Sequence, residues 1–134
     1  MTRAIEAAAP TPLARKLGIT AGARVAALGA PEGFAARLED AVVAPRLRGS
    51  FEVIVQFAAS LALIERRRDA LIAALEPRGR LWVAWPKRSS GVASDLDDRV
   101  VRETMLESGL VDNKVCAIDE TWSALCFVRR LEAR

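Results

Sequence analysis

The sequence predicts a single three-layer α/β domain with a mostly parallel sheet of about five strands and an antiparallel strand in a C-terminal hairpin. Three observations predict it. Short apolar, β-branched or aromatic runs recur at Arg24–Leu28, Phe51–Phe57 and 81–85. Helical stretches with caps and glycine stops lie between those runs. The chain then closes on two strand-like runs, 114–118 and 124–130, facing each other across Asp119-Glu120-Thr121-Trp122. With 134 residues, 51% of them apolar, the chain is long enough for one packed core and too short for two. Residues 1–10 are Ala-rich and patternless and read as a flexible leader, which leaves 11–134 as the domain.

The elements follow in order. Thr11 and Pro12 read as an N-cap and a proline in the first turn of a short helix that Gly18 closes. Strand Arg24–Leu28 sits between Gly22 and Gly29. A helix is predicted over 31–38, with Pro31 in its first turn, followed by a polar connection through Arg46, Arg48 and Gly49. Phe51–Phe57 is the clearest strand. Ser60 caps a helix with apolar residues at Leu61, Ile64, Leu71, Ile72 and Leu75, which Pro77-Arg78-Gly79 stops. Strand 81–85 ends at Pro86, and Ser94 is expected to cap a helix whose first turn holds Asp95, Asp97 and Asp98 and which Gly109 ends.

Composition excludes several classes. No apolar stretch approaches the ~18 residues of a membrane span. Glu6 interrupts the apolar core that a secretory signal would need, so a cytoplasmic protein is expected. There is no histidine, which removes the usual general base and the commonest neutral metal ligand. Two cysteines, Cys116 and Cys126, make neither a disulfide framework nor a zinc site. No metal and no cofactor is expected. The net charge of +3 permits nucleic-acid binding without indicating it, since a footprint needs cations clustered on one face.

From Phe51 to Arg130 the chain resembles the second half of a class I methyltransferase. The residues that carry the resemblance are Glu52 to Phe57, Pro77-Arg78-Gly79-Arg80-Leu81, Gly109-Leu110, and Trp122 through Arg130. The resemblance implies a Rossmann-like domain whose last strand is antiparallel and inserted between the third strand and the penultimate one. Class I methyltransferases have a glycine-rich turn after the first strand, and an acidic residue ending the second binds the ribose of S-adenosylmethionine. Here the first turn is Gly29-Ala30-Pro31-Glu32-Gly33, and Leu38 to Phe51 leaves no room for two further strands and a helix. The ribose-binding strand is therefore expected to be missing. Over nearly its whole length the chain also resembles an uncharacterised family of small bacterial proteins. Thr11 to Ile19, Ala30 to Gly33, Trp82 to Lys87, Ser89 to Val92 and Gly109 to Trp122 carry that second resemblance. It implies no activity.

In an open parallel sheet, ligands bind outside the carboxyl ends of the strands. Three loops are expected to converge there: 29–33, 85–95 and the hairpin tip. Trp85, Lys87, Arg88, Ser89 and Ser90 offer cations, hydroxyls and an aromatic wall for a small anionic ligand. Glu32 and Gly33 from the first loop, and Asp119, Glu120 and Trp122 from the tip, complete this candidate ligand site. A Ser/Lys hydrolase on Lys87 and Ser89 or Ser90 would need a buried lysine, which the polar loop does not provide. Asp119 and Glu120 suit turn hydrogen bonding better than metal or acid–base work. Cys116 and Cys126, placed symmetrically about Thr121, are expected to be cross-strand neighbours and free thiols. Arg66-Arg67-Arg68 reads as a solvated helix face, with Arg68 laying its stem on the apolar stripe.

The leading sequence reading is a non-catalytic binding or interaction module whose partner is a small anionic ligand or another protein. The alternative is an S-adenosylmethionine- or nucleotide-dependent enzyme of methyltransferase-like fold, which needs an open pocket between 29–33 and 87–90. A weak nucleic-acid binder comes third. No membrane contact is expected, and an exposed sheet edge would favour a homodimer.

Overall fold

The computed structural model describes residues 12–38 and 40–133. Six strands form one sheet: β1 (Arg24–Leu28), β2 (Val42–Ala44), β3 (Phe51–Phe57), β4 (Leu75–Pro86), β5 (Leu110–Ala117) and β6 (Trp122–Arg129). Their order is β2-β1-β3-β4-β6-β5. The first four pair parallel, and β6 is antiparallel to both β4 and β5. The last strand is thus inserted between the third predicted strand and the penultimate one, as the methyltransferase resemblance implied. The sheet has six strands instead of about five, because the connection after Leu38 holds one more.

That extra strand is β2. Val42 and Val43 are β-branched, and the strand pairs with β1 through Arg24↔Val42, Val25↔Val43 and Ala26↔Ala44. A three-residue strand needs far less chain than the full unit considered at sequence level, so the expectation that no strand lies between Leu38 and Phe51 is corrected. Its carboxyl end runs into Pro45-Arg46. An arginine therefore follows the strand, where the family resemblance implies an acidic residue.

Two apolar clusters sandwich the sheet, giving the three predicted layers. On one face α1 (Leu13–Lys16) and the loop from Pro31 to Leu38 cover Val25, Ala27, Val55, Trp82, Ala84 and Cys126. On the other, α2 (Leu61–Ala73) and α3 (Asp98–Leu106) place Ile64, Leu71, Val101 and Met105 over Ile54, Leu81, Val83 and Phe127. Strand period explains the division, since alternate residues of β3 and β4 point to opposite faces. Each large side chain buried this way contributes about 1.5–3 kcal/mol. Trp82, fully buried, also donates its indole N–H to the Leu17 carbonyl at 3.0 Å, which ties α1 to the sheet.

Several local expectations change. Thr11 and the leader lie outside the described residues, and Pro12 occupies the N-cap position of α1. The segment 31–38 is a turn followed by a 3₁₀ stretch, Ala35–Leu38, and not an α-helix. Gly33 adopts φ +86° there, outside the α region, so an i→i+4 ladder cannot propagate from Pro31. The helix that Pro77-Arg78-Gly79 was expected to stop already ends at Ala73, and the tripeptide lies within β4. Pairing moves from Phe51↔Leu75 to Val53↔Arg80, so β3 advances two residues while β4 advances five. Gly79 is required at this irregularity: a Cβ would sit 2.7 Å from Leu75 Cδ1 and 2.9 Å from the Glu52 carbonyl oxygen. Finally, α3 starts after Asp97, whose carboxylate accepts from Val100 N at 2.8 Å. Ser94 instead accepts from Leu96 N, and Asp95 reaches across to Leu61 N at the start of α2.

The hairpin register also differs from expectation. Asn113 is bulged between the pairs Asp112↔Phe127 and Lys114↔Cys126, and Cys116 lies opposite Ala124. The two cysteines are therefore not cross-strand neighbours, and both are free. Burial pushes the Cys126 thiol up to about 12, against the lowering effect of Arg80 and Lys114. Burial also raises the half-buried Cys116 thiol, less strongly.

Candidate functional site at the carboxyl edge of the sheet

Because β5 runs parallel to β1–β4, the loop after β1, the segment after β4 and the hairpin tip all lie at one edge, as expected. That edge divides into two halves with different character.

The half beneath the hairpin is filled. Trp122 meets the Phe57 ring edge-on at 5.1 Å, and Phe57 meets Phe34 at 4.8 Å. Trp85 is only 6% exposed and packs into the core under α2 and α3, so it does not wall a cleft. Lys87 joins the tip through its backbone N–H to the Thr121 carbonyl at 2.7 Å and its Nζ to the Asp119 carbonyl at 2.8 Å. The Asp119 carboxylate accepts from Thr121 N and Trp122 N, both at 2.8 Å, which is the turn chemistry expected of it. Ser90 Oγ donates to the Lys87 carbonyl at 2.6 Å and accepts from Val92 N. Arg88 reaches Asp97 at 3.8 Å and not the tip. Ser89 and Glu120 are exposed, and so is Glu32 in the first loop. The structure therefore brings Lys87, Ser90, Asp119 and Trp122 together by main-chain and aromatic contacts, and leaves Glu32, Ser89 and Glu120 outside that set.

The other half is open. A hollow of about 600 Å³ lies at the carboxyl ends of β1 and β3 against α2, lined by Gly29, Arg46, Gln56, Leu63, Arg66 and Arg67 among others. An apolar hollow of about 510 Å³ adjoins it, lined by Ala27, Ala30, Pro31, Gly33, Val43 and Pro45. Both are also lined by Gly29 and Pro45, so the turn after β1 and the end of β2 separate them. Gly29 holds φ +65°, and a Cβ there would meet the Phe57 carbonyl oxygen at 3.2 Å. Only glycine fits both conditions without strain, which lets the backbone pass close to the end of β3.

Gln56 lines the polar hollow. It is 3% exposed and stands between the buried Val55 and Phe57. Its Nε2 donates to the Phe57 carbonyl at 2.8 Å and, more distantly, to the Leu28 carbonyl at 3.5 Å. Its Oε1 accepts nothing, and it is the buried side-chain atom without a partner among the described residues. Of the residues lining the two hollows, the sequence reading singled out Gly33 alone as a ligand contact. Gln56 was the available signal: an amide among Val, Ile and Phe in a strand that reads as buried on both faces.

No protein-family profile matches the sequence, and no curated protein matches it. Solved structures do. The magnesium protoporphyrin IX methyltransferase of Synechocystis PCC 6803 with bound SAH superposes at a TM-score of 0.64 and 10% identity, covering 96% of this chain and 83% of that one. A SAM-dependent methyltransferase from Aquifex aeolicus gives 0.61 and 10% identity over 94% and 96%. The ribosomal protein L11 methylase of Lactobacillus delbrueckii gives 0.61 and 12% identity over 88% and 77%.

The fold is that of the class I methyltransferases. Identities this low establish the architecture alone. No match supports the resemblance to a family of small bacterial proteins.

Proposed function

We propose that this chain binds a nucleoside-type ligand, of the S-adenosylmethionine or nucleotide kind, at the carboxyl edge of β1, β2 and β3. The pair of adjoining hollows that meet at Gly29 and Pro45 carries this reading. One is apolar and suited to a flat base. The other has the polar groups that a sugar and its substituents need. The position agrees with the rule that open parallel sheets bind ligands outside their carboxyl ends. Methyltransferases among the structural neighbours favour an enzyme of that fold over a purely structural module.

Two-dimensional amide NMR with S-adenosylmethionine, S-adenosylhomocysteine, adenosine and ADP tests the reading. Shifts centred on Gly29, Val43 and Gln56 are expected with at least one of them. Absence of any shift with all four would sink it.

A second reading places a small anion at the filled half, on Lys87, Arg88, Ser89 and Ser90, in a non-catalytic module. The use of Lys87 and Ser90 as main-chain ties speaks against a base and a nucleophile there, and the exposed Arg88 and Ser89 are the groups left to meet an anion. The same spectra separate the two, because anion shifts would then centre on 87–91 and the hairpin tip.

A further inference from the structure

We propose that the ligand of the polar hollow carries a phosphate, held by Arg46, Arg66 and Arg67, so that the site selects a nucleoside phosphate over S-adenosylmethionine. This inference rests on the nucleoside reading above and narrows it to one charge class. Three guanidinium groups line the hollow and no carboxylate does, among the described residues. None of the three makes an ion pair or a hydrogen bond with another described residue. Other arginines do: Arg68 with Glu107 and the Thr104 carbonyl, Arg88 with Asp97, Arg99 with Glu103, Arg102 with Asp112. The side chains of Arg15, Arg48, Arg78 and Arg130 likewise have no partner among the described residues, and what sets the trio apart is that all three line one hollow.

The three come from two elements. Arg46 follows Pro45 at the end of β2, where the proline fixes the backbone, and Arg66 and Arg67 stand on the second turn of α2. Guanidinium forks match phosphate oxygens bidentately, which a compact ammonium does not. The first turn of α2 is already occupied by its own caps, Ser60 on Leu63 N and Asp95 on Leu61 N. The anion therefore belongs on the side chains and not on the helix terminus. S-adenosylmethionine carries a net positive charge at neutral pH, and three unpaired cations repel it. Gln56 adds a second requirement. Its buried Oε1 needs a donor, which a ribose hydroxyl or an amino group of the ligand supplies once seated in the hollow.

Isothermal titration of the full chain with ADP, adenosine, S-adenosylmethionine and inorganic phosphate tests this, at about 50 and 200 mM salt. ADP is expected to bind at least about tenfold tighter than adenosine or S-adenosylmethionine, and to weaken as salt rises. The triple variant R46Q/R66Q/R67Q should lose that advantage, keep the adenosine affinity and melt at an unchanged temperature. Equal binding of adenosine or S-adenosylmethionine and ADP would overturn the phosphate inference while leaving the nucleoside site standing. Failure of all four to bind would overturn both. A short single-stranded oligonucleotide that outcompetes ADP and is equally lost in the triple variant would overturn the small-ligand assignment in favour of a nucleic-acid surface.

Discussion

The two halves of the carboxyl edge are built from the same kind of parts and end in opposite states. Beneath the hairpin, Phe34, Phe57 and Trp122 stack edge to face, and Lys87 ties the tip to the segment after β4. Beside β2, the hollows stay open, and one of them carries the unpaired arginines. Strand length accounts for the difference. β4 and β6 pair over six consecutive residues and carry a tip that folds over the edge, whereas β2 pairs with β1 over only three. A short edge strand followed at once by Pro45 leaves the space past Gly29 uncovered. A parallel edge is thus a place where a site can form, and local strand length decides which part of it stays empty.

Four perturbations sharpen or break this contrast. Phe34→Ala, in the filled half, should cost about 3–5 kcal/mol in urea unfolding, because a nearly fully buried ring leaves a cavity against Phe57. A loss under about 1 kcal/mol would mean that the aromatic stack is not what closes this half.

The next largest effect comes with pH. Packing in the sheet holds the Cys126 thiol proton up to about 12, while the unfolded chain releases it near the ordinary 9.0. Above pH 9 the folded chain therefore binds more protons than the unfolded one, and stability falls as pH rises, by up to about 1.4 kcal/mol per pH unit. In Cys126→Ala this component of the slope should vanish. An unchanged slope would show that the thiol is not buried as described. Alkylation should correspondingly reach Cys116 first and Cys126 only on unfolding.

Gly29→Ala should cost about 1–3 kcal/mol, from the positive φ and the close Phe57 carbonyl oxygen together. It should also reshape the boundary between the two hollows, so ligand shifts at Val43 and Gln56 should weaken. Smallest of all, Arg66→Gln should leave stability within about 0.5 kcal/mol, as expected of an exposed arginine with no described partner. The contrast would fail if this change destabilised the chain as much as Phe34→Ala, because the open half would then be structural too.

Much of this was legible along the chain. Apolar runs of strand length separated by capped helices define the layers and the parallel order, and Trp122 through Arg130 fixed the antiparallel insertion by resemblance. The turn role of Asp119 was readable because a short acceptor two and three residues ahead of free amides is a local matter. Features that depend on distant chain were not. β2 has three residues and no periodicity of its own, and exists because β1 offers it a ladder. The 31–38 segment looked helical by composition, yet Gly33 takes a left-handed conformation there. A shorter tip, which pairs Ala117 with Ser123, moved Cys116 opposite Ala124 and away from Cys126.

The candidate site divides in the same way. The sequence by itself determined that the loops after β1 and β4 and the hairpin tip would share one edge, because alternating strands and helices allow little else. Only the tertiary structure decided that the tip would be filled by Phe57 and Trp122, and that Arg46, from a stretch read as a polar connection, would stand with Arg66 and Arg67 around Gln56. Periodicity reports which face of an element is apolar and carries no information about which two elements meet. Where the hollow lies depends on that meeting, and so does the chemistry it can perform.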